Sequence, residues 1–456
     1  MFRVLHPRLL VKNALLLKHV PLAALLACQA ATALADETAP DTAAPDWYSL
    51  HVQTTFTAMG HNSFHSLRPD GQNSMMSKAQ DEETWDATLF AGFRLGQLEL
   101  YFNPEMDQGF GPSNTLGVAG YVSGEAYKVG QYAPYYRTPR LFGRYVLGLG
   151  GESQTVEDGP NQLAGTRDAN NVTFTFGKFG VSDIFDTNTY AHDPRADFLN
   201  WSVVSSGAFD YAAEAWGYTY GAAAEWTEDW WTLRAGLFDM SRQPNSRYLD
   251  RGFGNNQTVV EAEERHDLWG QPGKIKIMAF MSNAKTASYA AAIRWGLANG
   301  QTPDVAKVRR YELRPGGGVN VEQQITPGVG AFLKASMNDG RYEAFDFTEI
   351  NQSLAAGLSV SGRHWGRDDD TLGLAGVVNG ISSDAQQYFR LGGMGILIGD
   401  GSLPSYGFEQ IIELYYKATL VQGISLTADY QHVENPAYNA SRGPIDFWGV
   451  RMHAEY

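Results

Sequence analysis

Cysteine is almost absent from this 456-residue chain: Cys28 is the only one. It lies in an N-terminal stretch that reads as a secretory leader, residues 1–35. Arg3, Arg8, Lys12 and Lys18 precede a short apolar run, Val20 to Ala27, and Ala33-Leu34-Ala35 forms a small-x-small cleavage site. A second reading takes Leu25-Leu26-Ala27-Cys28 as a lipoprotein cleavage box, but the downstream site favours ordinary cleavage and a mature chain beginning at Asp36. A mature chain without cysteine excludes disulfides, thiolate catalysis and cysteine-ligated metals. No apolar run of spanning length follows residue 35, and mean hydropathy is −0.30, which excludes a helical membrane protein. Basic residues are scarce, 35 against 50 acids. Without the four leader bases the balance is 31 against 50, a net −19 that argues against a nucleic-acid partner.

Catalytic motifs are also missing. There is no Gly-x-Ser-x-Gly elbow and no His-Glu-x-x-His pair, and Arg314-Pro-Gly-Gly-Gly318 lacks the Lys-Ser/Thr of a phosphate loop. Ten histidines are scattered without ligand spacing. No catalytic residue, metal or cofactor is expected. A glycosidase carboxylate pair is opposed only by architecture, because Asp and Glu are plentiful. Asp368-Asp369-Asp370 reads as a solvated charge run in a short turn rather than a cation site.

What the chain does have is aromatics, 12%, and 49 glycines, strand formers and turn formers. Its last eleven residues, Asp446 to Tyr456, alternate: Trp448, Val450, Met452, Ala454 and Tyr456 on one face, and Phe447, Gly449, Arg451, His453 and Glu455 on the other. That is a strand with different media on its two sides. A chain ending on such a strand suits a barrel whose last strand pairs with its first, leaving no edge. Residues 36–46 form a polar lead-in expected to be mobile. From residue 47 onward, alternation predicts sixteen strands: Tyr48–Met59, Thr84–Leu95, Leu98–Glu105, Arg140–Leu149, Asn170–Lys178, Ala213–Trp226, Trp230–Met240, Asn256–Leu268, Lys274–Asn283, Gly316–Ile325, Val329–Asn338, Leu354–Trp365, Thr371–Gly380, Gln410–Val421, Ile424–Val433 and Asp446–Tyr456.

The gaps alternate between long and short, with one exception, a gap of about twenty residues at 150–169. A soluble sandwich has no reason to keep its long loops at one end, and no blade-length repeat supports a propeller. A transmembrane antiparallel β-barrel of about 16 strands has that reason: short periplasmic turns, long external loops and an even strand number. Trp216, Trp226, Trp231, Tyr416 and Tyr430 suit an interfacial aromatic girdle. A barrel of this size is wide enough for an aqueous channel. The Gly-rich loop at about 106–139 is expected to fold in and constrict it.

Several stretches resemble the carbohydrate-selective porin (OprB) family of bacterial outer membranes. They are Glu83-Thr-Trp-Asp-Ala-Thr-Leu89, Asn103-Pro-Glu with the following Gly-Phe-Gly, Gly124-Glu-Ala-Tyr-Lys-Val-Gly130, Phe176 to Asp186, Tyr190-Ala-His-Asp-Pro-Arg195, Phe198-Leu-Asn-Trp-Ser202, Tyr430 to Tyr438, Arg442-Gly-Pro444 and Arg451 to Tyr456. Residues 284–361 match only loosely. The resemblance implies passive diffusion of monosaccharides or small oligosaccharides through a barrel in the outer membrane. The partners expected there are outer-membrane lipid and lipopolysaccharide, with the barrel-assembly machinery reading the C-terminal strand that ends in Tyr456.

Sugar selectivity needs aromatic faces for pyranose C–H groups and polar groups that exchange hydrogen bonds with hydroxyls. The pore-lining candidates on strand three are Glu99, Tyr101, Asn103 and Glu105, with Arg94 and Arg144 expected to face them across the lumen. Glu125 and Lys128 in the constricting loop, and Lys178 and Arg234 as further inward residues, complete the set. Asp183, Asp186, Asp193 and Arg195 are expected to form a folded loop network rather than a ligand contact. The competing readings are a porin for organic anions or other small polar solutes, and a plugged structural or adhesive barrel.

Overall fold

The computed structural model describes residues 47–126 and 128–456. The leader, the lead-in and Cys28 lie outside the described residues. Sixteen antiparallel strands form one closed ring, each paired with its chain neighbours and β1 paired with β16. They are β1 (Tyr48–His61), β2 (Gln80–Leu95), β3 (Leu98–Gly109), β4 (Gln131–Val156), β5 (Gly165–Phe179), β6 (Thr219–Glu228), β7 (Trp231–Asp239), β8 (Asn256–Leu268), β9 (Gln271–Thr286), β10 (Arg310–Thr326), β11 (Val329–Asn338), β12 (Gln352–Ser361), β13 (Thr371–Gly380), β14 (Glu409–Val421), β15 (Ile424–Glu434) and β16 (Ile445–Glu455). No helix of the described residues is long and apolar enough to cross a membrane.

Closure follows from the last strand. Gln53 to His61 pair in register with Glu455 to Phe447. Tyr456 completes the seam by exchanging backbone hydrogen bonds with Val52 at 2.8 and 2.9 Å. Alternation sorts the two faces. Leu354 and Leu358, Leu374 and Val378, Ile412 and Leu414, and Trp448 and Val450 are exposed on the outside, while Ala355, Ala375, Val377, Ile411 and Phe447 are buried inside. Apolar residues on both faces mean that the inner wall is covered, and loops cover it.

Seven turns at one end are short. The tightest include residues 269–270, where Trp269 and Gly270 both take positive φ (57° and 74°). A type I′ turn demands this of both central residues. The irregular gap at 150–169 disappears: β4 runs to Val156 and β5 starts at Gly165, so the even gap is only 157–164. Gly148 and Gly150 carry bulges there, which hid the alternation. The strand expected over Ala213–Trp226 starts at Thr219 instead, which leaves Trp216 in a loop. Trp226 and Trp231 do meet edge-on at 5.2 Å at the short-turn end, and Tyr430 and Trp448 lie 4.5 Å apart. Asp370 is not a solvated charge: it accepts from the Thr419 amide at 3.0 Å and binds Arg367 and the Tyr416 hydroxyl.

Candidate functional site: a constriction built by two inward loops

The segment 180–218, between β5 and β6, crosses the lumen. Its backbone has little regular structure, so its amides and carbonyls need partners. Charged side chains of the inner wall supply them. Glu261 on β8 accepts the Asp186 amide at 2.9 Å, and Glu322 on β10 accepts the Thr189 amide at 2.7 Å. Glu413 on β14 accepts the amides of Leu199 and Asn200 at 2.5 and 3.1 Å. Lys334 on β11 donates to the carbonyls of Ala191 and Val204, both at 2.8 Å, and Arg451 on β16 donates to that of Asp197 at 2.9 Å. Charge-assisted bonds are the stronger kind, so the loop is anchored around most of the ring.

The expected constricting loop at about 106–139 is therefore corrected. Residues 106–109 finish β3, and 131–139 belong to β4. Only 110–130 is loop, and it lies inside as a second layer against 180–218. Glu409 accepts the amides of Ala119 and Gly120 at 2.8 and 2.7 Å. A Cβ on Gly120 would stand 2.3 Å from the Ser202 hydroxyl, so glycine permits this contact. Tyr121 stacks on Trp201 at 5.0 Å, and Trp201 on Phe347 at 4.5 Å. Arg195 ties the layers to the wall, reaching Asp86 at 3.1 Å, Glu105 at 3.4 Å and Glu125 at 3.5 Å. Asp186 accepts from the Ser206 amide and hydroxyl at 2.6 and 2.7 Å. Asp186 and Arg195 thus belong to a folded network, while Asp183, Asp193 and Arg195 also line a cavity.

Between the two loops and β4 lies a cavity of about 220 Å³. Aromatic rings line it, Tyr121, Trp201, Tyr211, Trp216, Tyr218 and Phe347, together with the polar groups of Arg140, Asp183, Glu125, His192, Asp193 and Arg195. Arg140 makes a two-pronged bond to Asp183 at 2.8 and 2.6 Å and lies over the Tyr218 ring at 5.0 Å. That guanidinium and the Gly180 amide hold the Asp183 carboxyl below the usual range, outweighing burial, which pushes it up. Burial pushes Glu125 well up despite Arg195. Burial pushes the Lys128 ammonium down to about 8. Lys128 binds the Asp346 carbonyl and sits 4.9 Å over Phe347.

Arginines and aromatic rings alternate along β4. Arg137 bonds Glu105 at 2.5 Å and Asp107, and stacks on Trp216 and Tyr218 at 5.7 and 5.1 Å. Arg144 lies 5.0 Å over Tyr101, which stacks on Phe142 at 4.8 Å. In a regular strand a spacing of three would put Arg137 and Arg140 on opposite faces. A register shift opposite Asn103–Glu105, at Thr138-Pro139, turns both inward.

The sequence-derived candidates fall into four places. Arg94, Glu99, Tyr101 and Arg144 meet at the short-turn end. Arg94 and Arg144 do not face strand three across the lumen. They flank it, because Glu99 pairs in register with both. Arg94 reaches Glu99 at 2.8 Å and Arg144 reaches it at 4.0 Å. Asn103 and Glu105 are fully buried in the wall. Glu125 and Lys128 line the cavity. Lys178 and Arg234 stand apart. Lys178 pairs in register with exposed Leu141 and Tyr220, so it has outward parity, and its ammonium turns to Glu214 at the rim, 3.5 Å away. Arg234 is inward but saturated by Glu225, Glu261 and Glu263, each at 2.9 Å. Sequence reasoning missed Arg137, Arg140, Trp216 and Tyr218 as site residues. Arg140, four residues before Arg144 on one strand face, was the available signal.

The turn 157–164 folds across the short-turn mouth. Arg94 donates to the Ala164 carbonyl at 2.8 Å, Arg144 to that of Asn161 at 2.9 Å, and His51 meets Asp158 at 3.0 Å. Leu163 is 2% exposed and joins the aromatic cluster around Tyr101.

A family model described as carbohydrate-selective porin, OprB family, matches residues 72–456. The chain belongs to the carbohydrate-selective porin (OprB) family. It is a porin of the bacterial outer membrane, so the short turns are periplasmic and the long loops external. Among solved structures, the high-pH form of Pseudomonas putida OprB is similar at a TM-score of 0.66 and 15% identity, covering 90% of this porin and 94% of that chain. The outer-membrane channel DcaP of Acinetobacter baumannii is similar at 0.50 and 10% identity, covering 90% and 97%. These likenesses bear on the fold. A search of curated proteins found no match.

Proposed function

We propose that the cavity between 110–130 and 180–218 is the selecting constriction of this porin, through which monosaccharides or small oligosaccharides diffuse passively. The observation that carries this reading is the presence of both chemistries on one cavity lining. Trp216 and Tyr218 supply rings, and Arg140, which lies over Tyr218 at 5.0 Å, Asp183 and Glu125 supply hydrogen-bonding groups. A pyranose has that same division into C–H faces and hydroxyl edges. The polar groups are already ion-paired, so they exchange hydrogen bonds with hydroxyls without holding a solute tightly, as conduction requires. A volume of about 220 Å³ is below the ~300–1,000 Å³ of drug-sized ligand sites and suits one sugar ring at a time. The reading assigns the chain transport without a chemical step.

The test is single-channel conductance of the mature protein in planar bilayers, titrated with glucose, a disaccharide and a carboxylate of similar size. Sugars are expected to block at millimolar levels. Trp216→Ala with Tyr218→Ala weakens that block by about 3–30-fold, the worth of one or two ring contacts, while open-channel current rises. A folded protein that passes no current would replace this reading with a plugged barrel. Block by the carboxylate alone would keep the pore and change the substrate class.

A further inference from the structure

The external rim is electrically lopsided. On the β8–β10 side, Arg242, Arg247, Arg251 and Lys285 have no carboxylate partner among the described residues, whereas most bases inside the barrel are ion-paired. Three exposed aromatics stand among them: Tyr248 at 65%, Tyr311 at 52% and Phe253 at 40% exposure. Lys285 pairs in register with Tyr311 and lies 5.3 Å over its ring, and Arg242 lies 5.9 Å from the Tyr248 ring. The segment 240–255 rests against the same tyrosine: a Cβ on Gly254 would be 3.3 Å from the Tyr311 hydroxyl. The acids nearby are engaged: Asp239 accepts the Arg251 amide, Asp250 accepts the Asn255 amide and Glu312 binds Arg310.

The opposite pole of the ring is acidic. Asp81 and Glu83 on β2, Glu434 on β15 and Asp446 on β16 flank β1, which stands across from β9. His432 contacts Asp446 at 2.7 Å and Glu434 at 3.4 Å. An anion approaching the rim is therefore directed to the β8–β10 side.

Depth decides which anion. Lys285 shares the outward parity of Ile277 and Met281 on β9. Leu313, one outward position nearer the periplasm than Tyr311, is still an exposed apolar residue at 56%. One outward position is ~7 Å. Lys285 and Tyr311 thus stand at the external edge of the lipid-facing band, where aromatic rings and basic heads meet head groups.

We propose that Arg242, Arg247, Arg251 and Lys285, with Tyr311 and Tyr248, form a docking surface for the phosphate groups of an outer-leaflet glycolipid. Guanidiniums match phosphate in two-pronged fashion and the rings lie against its acyl-chain boundary. The test is native mass spectrometry of the mature protein in detergent with bisphosphorylated lipid A, dephosphorylated lipid A or inorganic phosphate. The wild type should retain the bisphosphorylated form at least tenfold better than the dephosphorylated one. The variant R242Q/R247Q/R251Q/K285Q should lose that preference. The opposite-pole variant E434Q/D446N should keep it, and all should show the same heat-modifiable mobility. Equal retention by the basic-pole variant would overturn the proposal. So would equal retention of dephosphorylated lipid, competition by millimolar inorganic phosphate alone, or dimers that form through the acidic pole.

Discussion

Arg195 does at the scale of one residue what a disulfide would do elsewhere, in a chain whose one cysteine lies outside the described residues. It joins loop 180–218 to Glu125 in loop 110–130 and to Asp86 and Glu105 in the wall. All three acids are buried, at 5%, 4% and 1% exposure. Glu105 keeps Arg137, but Asp86 keeps only the neutral Gln53 amide and would be left without an ion pair. Arg195→Met is therefore expected to destabilise the inward loops by about 3 kcal/mol, the cost of stranding a buried charge. The check is limited proteolysis, with cleavage confined to 180–218 while the barrel keeps its heat-modifiable mobility. Arg195→Lys should restore only part of the protection.

Glu349 sets a pH dependence of stability. Burial pushes its carboxyl up to about 7, and it accepts the Ile396 amide at 2.5 Å. The folded state therefore holds a proton between the unfolded value of about 4.3 and 7, so stability at this anchor falls as pH rises through that window. Hydrogen exchange of residues 393–398, corrected for intrinsic rates, should speed up between pH 5 and 8, and Glu349→Gln should flatten the profile. Asp183, held low by Arg140, stays charged throughout, so the Arg140 contact should not change.

At the scale of elements, the sixteen strands were legible because membrane strands must alternate and must close. The inward loops were not. Segment 180–218 has no period to read: Phe185, Phe198, Leu199 and Val203 are buried because carboxylates on distant strands fix the backbone that carries them. Glycine content drew the constriction to the loop after β3, whereas the crossing is made by a segment whose anchors, Glu261, Glu322, Glu413 and Arg451, come later in the chain. Lys178 failed because its charge was read as inward, whereas it shares the parity of exposed Phe174 and Phe176 on the outer face. The hairpin 150–168 was hidden by its bulges, and it carries its own prediction. Replacing residues 151–166 with a two-residue type I′ turn frees Arg94, Arg144 and the periplasmic mouth. Conductance should rise, while half-block by glucose, set at the external constriction, should change by less than twofold. A large loss of sugar block would move selection to the periplasmic mouth.

At the scale of the molecule, closure and filling are separate jobs. The ring is closed by backbone bonds between β1 and β16, with Tyr456 as the last link to Val52. The filling hangs on side chains: among the described residues of the closing strand, Arg451 holds the crossing loop by hydrogen bonds, to the Asp197 and Pro194 carbonyls. These roles come apart by mutation. Deleting 448–456 removes the partner of β1 and leaves two open edges that hydrocarbon cannot satisfy, so no heat-modifiable species should form on refolding in detergent. Tyr456→Ala keeps the backbone link, so refolding in detergent should be normal, while assembly in cells, where the aromatic terminus is the expected address, should fall several-fold. Arg451→Met should close normally yet release 194–197, giving a folded barrel with noisy, larger currents. A quiet wild-type current from Arg451→Met would mean that the loop holds without the closing strand, and that the seam and the constriction are independent down to their last shared residue.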